Sequence, residues 1–148
     1  MVSHETGDSM EGLIQIAGVH DEEEARMLAE SGVLEIGFPL GLTVHKEDLT
    51  EEHAARIIAA LNPPVPGFLI TYLSRASDIL ELCKKLGVGK VQLHGDVSLS
   101  EVDLLRGLAP ELQVIKSLVV RADNQPELEI LVRVFSPYVH GFITDTYD

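Results

Sequence analysis

GFLITYLSRASDILELCKKLGVGKVQLH, residues 67–94, decides the fold. It opens on Gly67-Phe68-Leu69-Ile70-Thr71, a short apolar run of the kind found in strands buried on both faces. Ser74 or Ser77 then starts a helix that runs to Leu86, and Gly87 closes it. Lys90-Val91-Gln92-Leu93-His94 is a second short run of strand type. Two strands joined through a helix of this length lie parallel, and the crossover between them is right-handed.

The same unit repeats in both directions. Upstream, Leu13 to Gly18 reads as a strand, and Asp21 caps a helix through Ser31 with Glu24 at the capping-box position and Gly32 as the stop. Leu34 to Phe38 is the next strand, and Thr50 caps a helix that ends near Leu61 and the Pro63-Pro64 break. Downstream, Ser98 and Glu101 form a capping-box pair before a helix to Leu108. Leu112 to Lys116 is a strand, Asn124 to Phe135 a helix with Pro126 in its first turn, and Gly141 to Asp145 a sixth strand. Strict alternation implies an α/β fold, either an open doubly wound sheet or a (β/α)8 barrel. The first strand is not followed by Gly-x-Gly-x-x-Gly, which counts against a dinucleotide-binding sheet. The expected fold is therefore an incomplete (β/α)8 TIM-barrel type of about six βα units with a parallel sheet. Residues 1–11 are expected to be a flexible N-terminal extension and residues 12–148 a partial (β/α) barrel domain that ends before the barrel closes.

Composition narrows the function. With 45% hydrophobic residues the chain can bury a core, so it is not a disordered segment. The 24 acidic against 11 basic residues give a net charge of −13, a field that repels nucleic acid and anionic membranes. No apolar run is long enough for a membrane span, and Met1 to Glu5 lacks the signal-peptide pattern. The single Cys83 excludes an internal disulfide and a cysteine-rich zinc site, and fits a cytoplasmic location. His4, His20, His45, His53 and His140 lie on different elements without helical i, i+4 ligand spacing, so no metal and no cofactor are expected.

Val91-Gln92-Leu93-His94-Gly95 resembles the Val-Gln-Leu-His-Gly motif of phosphoribosylanthranilate isomerases. Three other segments agree with that family in order and spacing. Gly32 with Glu35-Ile36-Gly37-Phe38 resembles its second-strand segment, Val114-Ile115-Lys116 its fifth strand, and Phe142-Ile143-Thr144-Asp145-Thr146 the end of its sixth. The resemblance implies a (β/α)8 barrel and an Amadori aldose-to-ketose rearrangement in tryptophan biosynthesis, acting on a small anionic sugar phosphate. It implies that Asp145 is the general acid. It places Ala17 where the family carries its cysteine base, and an alanine methyl accepts no proton. In the loop after the second strand no arginine occurs; His45 or Lys46 stands nearest the family's carboxylate anchor. The phosphate loops that follow strands seven and eight of such barrels lie outside these 148 residues. The expectation is that this chain alone is not a competent isomerase.

Individual residues admit plainer readings. Asp145 could cap a turn instead. His94 either lines the site or bonds to backbone. Lys116 at a strand end suggests a substrate contact or a snorkelling side chain, with a Schiff-base lyase as a further alternative. Cys83 sits beside Leu80 and Leu86 on a helix face and reads as a packing thiol. Gly18, Gly37 and Gly95 allow tight turns or close approach. A second functional class remains open: a non-catalytic, barrel-derived binding or assembly module. Under any of these readings, unpaired edges of the first and sixth strands favour self-association.

Overall fold

A computed structural model describes residues 13–43 and 46–146. Among the described residues are six strands: β1 (Gln15–Ala17), β2 (Glu35–Pro39), β3 (Gly67–Thr71), β4 (Lys90–Leu93), β5 (Gln113–Val120) and β6 (Gly141–Thr146). They alternate with α1 (Glu22–Glu30), α2 (Glu51–Ala60), α3 (Ala76–Leu86), α4 (Leu99–Leu108) and α5 (Gln125–Phe135). Every strand pair is parallel, and the spatial order follows the chain from β1 to β6. A doubly wound sheet reverses its strand order at a switch point, and no reversal occurs here. The sheet also curls. The Gln15 and Gln92 amides, three strands apart, meet at 2.7 Å; on a flat sheet three strand spacings would hold them about 14 Å apart. The described residues thus form a curled part of a (β/α)8-type barrel, as expected.

Strand parity separates two environments. Ile36, Phe38, Leu69, Val91, Leu93 and Val114 face outward and pack against Ala25, Ala54, Ile57, Ile79, Leu82 and Leu105 of the helices, all buried. Each large side chain buried there contributes about 1.5–3 kcal/mol. The inner face carries Phe68, Ile70 and Ile115, but also Gln15, Glu35, Lys90 and Gln92. The reading of these strands as apolar on both faces therefore holds for the outer face, while the inner face is mixed.

Most element ends follow local signals. The Asp21 carboxylate accepts from the Glu24 backbone N–H at 2.8 Å, and Thr50 accepts from His53 N–H at 3.2 Å. Glu24 itself reaches one residue further back than a capping box does, accepting from the His20 N–H at 2.9 Å. Helix α3 starts at Ala76 with no side-chain cap of its own. Its first N–H instead donates to Glu101 of α4 at 2.7 Å. Strand β5 runs four residues past Lys116, because Ser117-Leu118-Val119-Val120 pairs in register with β6. The expected extension, residues 1–11, lies outside the described residues. Among the described residues, no helix is long and apolar enough to cross a membrane.

Candidate active site at the C-terminal ends of the strands

Barrel chemistry is built where strands end, because the βα loops there converge over the open end of the sheet. His94 follows directly on β4. Its backbone N–H donates to the Thr71 carbonyl at 2.9 Å, so the ladder with β3 fixes its direction. Parity with Lys90 and Gln92 turns its side chain inward. The next residue must be small: a Cβ on Gly95 would stand 2.5 Å from the Tyr72 carbonyl oxygen. The His94 ring lies 5.9 Å from the Tyr72 ring and is largely enclosed.

Asp145 stands near the end of β6, two residues beyond the inward-facing Ile143. One carboxylate oxygen, Oδ1, accepts from the Thr146 N–H at 2.9 Å. The other, Oδ2, is 4.0 Å from His94 Nδ1, and the side chain remains 56% exposed, open to a ligand. The curl thus brings together the two strand-end residues singled out in the sequence. Burial pushes the His94 imidazole below its ordinary range; the Asp145 carboxylate opposes this and the Lys116 ammonium adds to it.

Of the remaining candidates, Lys116 lies beside this pair and the others are dispersed. Lys116 shares register with Leu93 and Phe142 and so projects from the outward face of β5. Its ammonium donates to the Ser117 carbonyl at 3.0 Å and to the Gly95 carbonyl at 3.4 Å, bracing the loop beside His94. Desolvation holds its pKa below the usual lysine value, with Asp96 acting in the opposite direction. Ala17 ends β1 opposite Gly37 and is exposed, with only a methyl to offer. Lys46 is exposed on the loop after β2, and His45 lies outside the described residues. Cys83 is buried among the helix contacts, where desolvation pushes its thiol up to about 12. Among the described residues, no three His, Cys, Asp or Glu side chains converge as a metal site requires.

Below this layer lies a polar row that sequence reasoning missed. Lys90 Nζ donates to Glu35 Oε2 at 2.8 Å, Gln15 Nε2 donates to the same oxygen at 2.9 Å, and Gln92 Nε2 donates to Gln15 Oε1 at 2.7 Å. Gln92 Oε1 then lies 3.4 Å from His94 Nε2. The usable signal was polar residues at same-parity positions of strands that the curl brings together: 90, 92 and 94 along β4, 35 on β2 and its register partner 15 on β1. A recess of about 320 Å³ borders this row, lined by Leu13, Gln15, Gln92, Ile115, Phe142 and Ile143. A larger groove of about 730 Å³, lined by Glu22, Glu23, Arg26 and Glu30 of α1 and the end of α2, lies on the helical exterior, away from these strand ends.

No protein-family model matches the chain. Among curated proteins it is similar to N-(5'-phosphoribosyl)anthranilate isomerase 2 of Methanosarcina mazei, 32% identical over 136 residues that cover 91% of this chain and 59% of that protein. Among solved structures it is similar to phosphoribosyl anthranilate isomerase from Thermococcus kodakaraensis, with a TM-score of 0.74, 20% identity, and coverage of 92% of this chain and 65% of that one. It is also similar to a phosphoribosyl anthranilate isomerase in complex with reduced 1-(o-carboxyphenylamino)-1-deoxyribulose 5-phosphate, with a TM-score of 0.72, 27% identity, and coverage of 90% of this chain and 64% of that one. The chain therefore spans less than two thirds of each of these proteins.

Proposed function

We propose that this chain, a divergent homologue of the phosphoribosylanthranilate isomerases, supplies the acid-bearing part of a site for an Amadori aldose-to-ketose rearrangement of tryptophan biosynthesis. The observation that carries this reading is the exposed Asp145 carboxyl at the end of β6, 4.0 Å from the enclosed His94. Opening an aminofuranose ring needs a proton on the departing ring oxygen, and a carboxylic acid at the rim of the strands can give it. The ligand class is a sugar phosphate bearing an aromatic amine, as in the complex above.

Two features weigh on turnover. Ala17 leaves the first strand without a proton acceptor, and loss of a general base costs about 10²–10⁴-fold in rate. Lys46 is the nearest described cation on the loop after β2, and its exposure makes it a weak anchor for a substrate carboxylate. Ala17 is also the observation that favours the second reading, a binding or assembly module without turnover. We further propose that the 148-residue chain self-associates through the outer edges of β1 and β6 and occupies a cytoplasmic setting.

Calorimetric titration with the reduced carboxyphenylamino deoxyribulose phosphate tests the ligand. Micromolar binding that Asp145→Ala weakens at least tenfold supports the site. No heat at millimolar ligand removes it and leaves the module reading in front.

A further inference from the structure

We infer that the ion pair between the buried Lys90 and the half-buried Glu35 sets the tautomer of His94 through two glutamines, leaving Nδ1 as the proton-accepting atom of the site. The argument follows the direction of each hydrogen bond. A carboxylate only accepts. Glu35 Oε2 accepts from the Lys90 ammonium at 2.8 Å and from the Gln15 amide at 2.9 Å. Gln15 has therefore turned its NH₂ toward Glu35 and its oxygen toward Gln92. That oxygen accepts from Gln92 Nε2 at 2.7 Å. Gln92 is then oriented as well, with its oxygen facing His94 Nε2 at 3.4 Å. An oxygen acceptor in that position selects the tautomer with hydrogen on Nε2. Nδ1 is left with its lone pair, because Asp145 Oδ2 at 4.0 Å stands beyond hydrogen-bond reach and does not compete for the ring hydrogen.

The row is built to hold this direction. Lys90 and Gln92 are 6% and 3% exposed, so neither amide nor ammonium can exchange its partner for water without cost. Reversing Gln15 would set oxygen against carboxylate and NH₂ against NH₂, and reversing Gln92 would set amide oxygen against amide oxygen, inside the curl. Gln15 and Gln92 are accordingly positioning residues, and His94 is the group they position. The titratable groups around the ring are Asp145 on β6, Lys116 on β5 and Tyr72 after β3. Burial keeps the ring neutral further into the acid range than a free imidazole, which keeps the Nδ1 lone pair available. Its use as a base in place of the residue missing at Ala17 rests on the rearrangement reading above; the tautomer itself does not.

Long-range ¹H–¹⁵N spectra of the labelled 148-residue chain test this without any ligand, with His94 assigned by its loss in His94→Gln. The expected result at alkaline pH is a pyrrole-type Nε2 and a pyridine-type Nδ1. On acidification the Nδ1 resonance should be the one that moves, with a midpoint below 6.5. Glu35→Leu removes the fixed acceptor, since no oxygen is left at position 35 to receive the Gln15 amide, and should give averaged shifts from two tautomers. Gln92→Leu, which leaves the ion pair intact, should do the same if Glu35→Leu does not fold. A pyridine-type Nε2 in the unmodified chain overturns the inference. So does a tautomer unchanged in the folded variants. Failure of the sugar-phosphate titration with the expected spectrum would remove the rearrangement reading and keep the relay.

Discussion

At position 94 one side chain links burial to pH. The enclosed imidazole titrates below its ordinary 6.5 because it is desolvated, so between those two values the unfolded chain binds the proton and the folded chain does not. Stability therefore rises with pH through that window and falls as the solution is acidified below 6.5. Once the folded imidazole itself protonates, the loss attributable to this residue stops. Urea midpoints measured across this range should decline toward acid in the parent chain, and His94→Gln should flatten the part of the slope that His94 causes. The exposed His20 and the half-buried His53 remain in both proteins, so the difference between the two curves isolates position 94. Parallel curves would show that the ring is solvated in the folded state. The neighbouring Gly95 holds this arrangement, since any side chain there meets the Tyr72 backbone.

The elements show why some of this order was legible in the sequence and some was not. Six strands and five helices follow from local signals: apolar runs, Asp21, Thr50 and Ser98 as caps, and Gly32 and Gly87 as stops. The start of α3 did not, because its cap comes from another helix. Glu101 was expected to turn back on its own helix, yet its carboxylate accepts the Ala76 N–H, 25 residues away in sequence. Capping contacts of this kind are worth about 0.5–2 kcal/mol. Glu101→Ala should destabilise the chain by about that amount in urea unfolding, with the slope unchanged; no shift would mean that water replaces the carboxylate at Ala76. The same limit explains the candidate site. Asp145 and His94 were visible as strand ends, and parity could place each inward, but only the curl brings them within 4.0 Å. Lys116 shared the strand-end signal, and its outward placement follows only from the register that pairs it with Leu93 and Phe142. The Lys90–Glu35–Gln15–Gln92 row was hidden for a related reason: each strand carries only one or two of these polar residues, and isolated they look like tolerated exceptions in apolar runs.

For the whole molecule, the curled sheet has an inside and two edges. Among the described residues, β1 and β6 each have a strand neighbour on one side only. Apolar side chains are open at the first edge and on the outer helices: Ile14 just before β1 is 63% and Ile16 within it 37% exposed, and Leu104, Leu108 and Ile130 are more than half exposed on the last two helices. Unpaired strand edges and exposed apolar side chains promote association, because pairing satisfies backbone groups while removing that surface from water. The charge of −13 opposes it through repulsion between copies. Salt distinguishes the two terms, since it screens the repulsion and leaves backbone pairing and burial in place. The 148-residue chain is therefore expected to associate, and to do so more strongly as salt rises. Light scattering over a dilution series at low and high salt checks this: a mass that grows with concentration and with salt is the expected outcome. A mass of one chain, insensitive to both, would mean that the edges of β1 and β6 are already covered within the chain and that its barrel-like face is closed to partners of its own kind.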